Sequence, residues 1–165
     1  MKTTIILFAV AILATSASVN PFFSQSASDK MAQQVIAALK KSSPDDYAAL
    51  FPTLAEFYAI MDANGAMYGE YLAPAKEEFA VRYKNEILPA VKKSFASVLE
   101  EGKKKGIVWR QINFEKVECS TSSQHLKPVP FTIVFSSNGK EYRMTIDKAF
   151  IIHDIWKVSS EISLI

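Results

Sequence analysis

Few side chains in this sequence combine the right chemistry with a useful spacing. Its 165 residues include two histidines, one cysteine and five glycines. His125 falls in a polar stretch and His153 in a turn. Neither has a second ligand at metal spacing, such as a partner four residues along a helix. Cys119 is alone, so it forms no intramolecular disulfide, and no neighbouring histidine or helix start is placed to activate it as a nucleophile. The glycines are scattered, which leaves no loop to cradle phosphates. No cofactor and no metal is implied by any motif.

Two groups of residues invite a binding role. Lys148 and Ser160 interrupt the apolar faces of two C-terminal strands, where a lysine needs a partner, a ligand or a path to water. Tyr58, Tyr68, Tyr71, Tyr83 and Trp109 form an aromatic set around the helical half, and such rings suit both core edges and ligand pockets. Acid–base chemistry would need a carboxylate deep in a cavity, and Asp62 and Glu70 are the ones the helical half offers.

The elements that must position these residues fall into a helical half and a strand half. Ser28 caps a helix running to about Lys41, with Met31, Val35, Ile36 and Leu39 at helical spacing. Ser43-Pro44-Asp45-Asp46 starts a second helix, and Thr53 with Glu56, at capping-box spacing, starts a third that stops near Asn64-Gly65. The longest helical pattern runs from Pro74 to Lys104, with Pro89 predicting a kink or a break.

From Gly106 the period changes to 2. Strands are expected over Ile107–Cys119 and Val129–Ser136, joined by a polar loop. Asn138-Gly139 signals a two-residue hairpin that sets Phe135 against Tyr142, Ile133 against Met144 and Phe131 against Ile146. For the last hairpin, a three-residue loop Ile152-His153-Asp154 pairs Phe150 with Trp156, Met144 with Ile162 and Tyr142 with Leu164. A two-residue turn at His153-Asp154 would pair Phe150 with Lys157 and put the two apolar sets on opposite faces, so the three-residue loop is expected. The pattern predicts an α+β fold, N-terminal helices packed on a C-terminal four-stranded antiparallel meander, with the long helix across the sheet.

Residues 1–17 read as a secretory signal peptide. Lys2 precedes an uncharged run from Ile5 to Ala14, and small residues follow, with cleavage after Ser16 or Ala17. The run is too short for a stable membrane anchor. Residues 18–27 form a loose arm and 28–165 a single α+β domain. The expected destination is the periplasm or the medium. Loss of Lys2 lowers the formal charge from +2 to about +1, which argues against nucleic acid as a partner. Lys103-Lys104-Lys105 follows Glu100-Glu101 at a helix end, where basic residues are favoured by the dipole.

The helices-then-meander order resembles the cystatin-like and nuclear-transport-factor-like α+β folds, in which a curved sheet wraps a helix. The ending Ala149-Phe150-Ile151-Ile152-His153-Asp154-Ile155-Trp156-Lys157-Val158 is similar to that of many small exported bacterial proteins of this kind, although Asp154 stands where they often carry glycine. Leu50-Phe51-Pro52-Thr53 with Glu56-Phe57 looks like a segment of their uncharacterised members. Cystatin inhibitors use a Gln-x-Val-x-Gly hairpin. Gln33-Gln34-Val35-Ile36-Ala37 lacks the glycine and lies in an expected helix, so that route to protease inhibition is rejected. The resemblance implies a cavity between helices and concave sheet.

Three functional readings follow. The first is a non-enzymatic exported domain binding a small molecule, a peptide or a protein. The second is an isomerase- or dehydratase-type enzyme using that cavity. The third is an assembly or adaptor protein acting through an outer sheet face where Glu141, Arg143, Asp147, Lys157 and Glu161 alternate.

Overall fold

The computed structural model describes residues 25–119 and 128–165. The expected signal peptide, most of the arm and His125 lie outside the described residues. Helix α1 (Gln25–Lys41) starts within the expected arm, and Ser28 is buried inside it instead of capping it. Helix α1 packs against the first strand, Asn113–Cys119. Met31, Ala32, Val35, Ile36 and Leu39 are all buried, as their spacing requires.

Ser43 caps α2 (Pro44–Ala48), its hydroxyl accepting the Asp46 N–H at 3.1 Å. Thr53 and Glu56 form the expected reciprocal box at the start of α3 (Leu54–Ala63). A short α4 (Gly65–Tyr68) and a 3-10 turn (Gly69–Tyr71) lead into α5 (Leu72–Arg82). The long helical pattern then breaks. Tyr83–Ile87 is a π turn, with the Leu88 N–H on the Tyr83 carbonyl, and α6 runs from Leu88 to Lys104. Pro89 has no N–H to offer the Asn85 carbonyl, and the wider turn lies where that bond is lost.

Gly106–Ile112 is not strand, contrary to the period-2 reading. Trp109–Gln111 is a 3-10 turn, and β1 covers only Asn113–Cys119. Three bonds hold this segment over the end of α6: Ile107 N–H to the Gly102 carbonyl, Val108 N–H to Ser137 Oγ, and the Trp109 indole N–H to the Leu99 carbonyl. Side-chain anchoring thus overrides the local alternation.

Strands β2 (Val129–Ser137) and β3 (Lys140–Ile152) make the Asn138-Gly139 hairpin, with all three expected pairs in register. The last hairpin differs. Ile152 pairs with Ile155 across a two-residue turn, and β4 (Ile155–Val158) sets Trp156 against Ile151 and Val158 against Ala149. His153 and Asp154 both adopt positive φ, 47° and 64°. Phe131 faces Ile146 while Val129 faces Ala149, so β3 holds an extra residue at Asp147-Lys148. The bulge resets the alternation, so Ala149 instead of Phe150 joins the core, with Val158 opposite it. The two-residue turn then places apolar residues opposite each other. β5 (Ile162–Leu164) returns to β3, with Met144 on Leu164 and Ile146 on Ile162, two residues from the expected register.

The sheet order is β1-β2-β3-β4, with β5 also on β3, so β4 and β5 act as one interrupted fourth strand. The architecture is α+β as expected, with one revision. Helix α1 packs against β1 and β4, while α6 packs against β5 and α2, so the central helix is α1 as much as the long one. Leu39, Phe95, Phe131, Ile133, Phe135, Met144 and Ile146 are fully buried between the layers. Each such side chain contributes about 1.5–3 kcal/mol of burial.

Candidate functional site

The helix-facing side of the sheet carries this core. Two open features lie at the surface. One is a groove of about 210 Å³ between α3 and the end of the β3–β4 hairpin, lined by Ala59, Ile60, Ala63, Ile151 and Ile152, with Glu56 and His153 also on its walls. Ile152 and His153, at the two-residue turn, form part of its hairpin wall. Small alanines on that side of α3 leave room above the isoleucines.

An ion pair links the two walls. Lys157 Nζ lies 2.9 Å from Glu56 Oε1 and 3.1 Å from Oε2, with the side chains only 14% and 21% exposed. Burial pushes the Glu56 carboxyl up. The Thr53 backbone N–H, the Lys157 ammonium and the Thr53 hydroxyl outweigh it and hold the group below the ordinary carboxylate range. Lys157 is therefore covered by α3 and does not belong to the open charged face expected for it. On that outer face Glu118 binds Lys116 and Arg143, and Arg143 also reaches Glu141. These exposed pairs stabilise little.

The structure gives Tyr58, Tyr71, Tyr83 and Trp109 each a partner of its own. Tyr58 donates its hydroxyl to the Lys76 carbonyl at 3.2 Å, with the Lys76 ammonium over its ring. Tyr83 donates to the Pro52 carbonyl at 2.7 Å and packs beside Phe57 and Phe79; burial, then the Glu56 charge, pushes its phenol up. Tyr68 is half-buried in α4, and Tyr71 is exposed and reaches Glu78. Trp109 is buried against Phe135 at the far end of α6. The set is thus spread over two regions, one around α3 and α5 and one at the end of α6.

Lys148 and Ser160 do meet, through the backbone. The Lys148 N–H donates to Ser160 Oγ at 2.9 Å, and its carbonyl accepts from the Ser159 N–H and hydroxyl. These bonds stitch the bulge, and the ammonium points to water. Asp62 and Glu70 are exposed, and Asp62 is paired with Lys76, so neither sits in a desolvated acid–base position. A shallow, open surface depression of about 330 Å³ is lined by Glu118, Cys119, Pro130 and Thr132. Burial pushes the Cys119 thiol up, away from the reactive thiolate. Among the described residues no three His, Cys, Asp or Glu side chains gather as a metal site. No described helix is long and apolar enough to cross a membrane.

Fold and site together define an α+β domain with an apolar surface groove flanked by an ion pair. No protein-family model, curated protein or solved structure matches the chain. Sequence reasoning found Glu56 only as a helix cap and His153 only as a turn residue. Ala59, Ile60, Ala63, Ile151 and Ile152 were missed as a group, because no spacing rule joins a helix to a strand some ninety residues away.

Proposed function

We propose that this chain is an exported, non-enzymatic binding domain whose partner seats in the groove between α3 and the β3–β4 hairpin. One observation carries the reading: five apolar side chains line an open groove whose two walls are held in place by a shielded Glu56–Lys157 pair. Ligand sites of this build use apolar walls for affinity and a few fixed polar groups for orientation. The partner is a small molecule, a peptide or a protein segment with an apolar surface. Export rests on the leader-like residues 1–17, and the likeness to cystatin-like and nuclear-transport-factor-like domains is compatible with a binding role.

The test is native mass spectrometry on the protein taken from its own exported fraction. The expected spectrum shows a chain beginning after Ser16 or Ala17 with an additional mass retained under gentle activation. Ile60→Asp should lose that mass while Tyr71→Ser keeps it. A bare chain, or a mass indifferent to Ile60→Asp, overturns the groove. An intact Met1 on the exported protein overturns cleavage.

A further inference from the structure

We infer that residues 54–82, the unit formed by α3, α4 and α5, are a hinged arm that opens and closes the groove as one body. This rests on the groove reading for its purpose but not for its mechanics. No residue of α3, α4, the 3-10 turn or α5 is buried, whereas α1 and α6 each present a buried face. The three helices pack chiefly on one another, and none forms an extended contact with α6 or the sheet.

Within the arm the contacts are specific enough to keep it rigid. Phe57 packs at a tilt of 56° against Phe79 with centroids 4.8 Å apart, the Tyr58 hydroxyl bonds the Lys76 carbonyl, and the Lys76 ammonium bonds Asp62. Among the described residues, attachment to the body lies at the base. Phe57 packs against the core edge and Glu56 holds Lys157, while at the hinge the Tyr83 hydroxyl holds the Pro52 carbonyl.

The chain crosses between arm and body at two places, both suited to bending. One is Thr53, extended at φ −68° and ψ 160° just before the helix. The other is the π turn Tyr83–Ile87, where a wider hydrogen-bonded ring precedes Pro89. Rotation about these points moves Ala59, Ile60 and Ala63 away from Ile151 and Ile152, which widens the groove. Glu56–Lys157 spans the two walls and is the latch. Elements of this kind, with few buried contacts and a narrow base, open at free energies below that of global unfolding.

The experiment is peptide-resolved hydrogen exchange on the ligand-free full chain, comparing wild type with Glu56→Gln and Lys157→Met. Glutamine keeps the capping box while removing the charge. The inference expects amides of 54–82 to exchange as a group faster than those of α6 and β2–β3. Either variant should accelerate the arm about tenfold, the scale of one lost charge-assisted bond, and leave α6 and β2–β3 unchanged. Arm protection equal to that of α6, or acceleration spread evenly over the domain, overturns the hinge. A chain that captures a ligand but shows no separate arm exchange has a static groove. One that shows arm exchange and no capture has the hinge without the proposed binding.

Discussion

The indole of Trp109 lies directly over Gly102, so that a Cβ added to the glycine would fall inside the six-membered ring's contact distance. The Trp109 N–H is meanwhile fixed on the Leu99 carbonyl at 2.9 Å, which prevents the ring from sliding away. This close approach lets the segment after α6 fold back over the helix before β1 begins.

Gly102→Ala should therefore destabilise the domain, although alanine is favoured over glycine in a helix by about 1 kcal/mol. Overpacking a fixed ring costs about 1–3 kcal/mol on the usual scale and wins. The check is the urea midpoint, which should fall with unchanged slope. An unchanged or higher midpoint would show that the ring moves freely.

Tyr47 is wholly buried and stacked on Phe95, with centroids 5.0 Å apart, yet its hydroxyl has no hydrogen-bond partner among the described residues. Burial foremost, and then the charge of Glu161, pushes its phenol well above the ordinary value. Removing an unsatisfied buried hydroxyl relieves a desolvation cost. Tyr47→Phe should raise the unfolding free energy by about 1 kcal/mol, whereas Tyr47→Ala should lower it by about 3–5 kcal/mol. Denaturant titrations of both variants give the comparison.

The turn at His153-Asp154 uses two non-glycine residues at positive φ. The turn at Asn138-Gly139 has the same two-residue form and already carries glycine, at φ 74°. Asp154→Gly should raise stability by about 0.5 kcal/mol, the left-handed penalty relieved exceeding the added chain entropy. Gly139→Ala should lower it by about 1 kcal/mol even though nothing lies within 4 Å of the new Cβ. Thermal melts of the two variants should move in opposite directions.

The Glu56 carboxyl is held below its unfolded value of 4.5. A depressed carboxylate contributes stability that is present above the unfolded pKa and lost as pH falls through the folded one. Stability should therefore decline below about pH 4.5. Asp46, Glu100 and Glu118 are depressed too, by Lys41, Lys103 and Lys116 foremost, but they are exposed and screened. Glu56→Gln should lose part of the difference between urea midpoints at pH 7 and pH 3. An identical difference in variant and wild type would remove Glu56 from the acid response.

Much of the fold was legible because its signals are local. Ser43 and Thr53 cap helices by bonding N–H groups three residues away, and Asn138-Gly139 sets three cross-strand pairs through backbone preference alone. Pro89 announces a break because a missing N–H is a property of the residue itself. Other features depended on contacts between distant segments. The bulge at Lys148, held by Ser159 and Ser160, changes which side of β3 faces the core, and no alternation count anticipates an added residue. Trp109 leaves the strand pattern because Leu99 and Gly102 receive it. The Glu56–Lys157 pair and the groove beside it join residues 101 positions apart. Sequence alone determined the order of helices and strands and the register of the β2–β3 hairpin, since caps, turns and periodicity act over a few residues. Only the tertiary structure decided the start of β1, the register of the last hairpin, the central place of α1 and the location of the groove, because these follow from which distant side chains pack together.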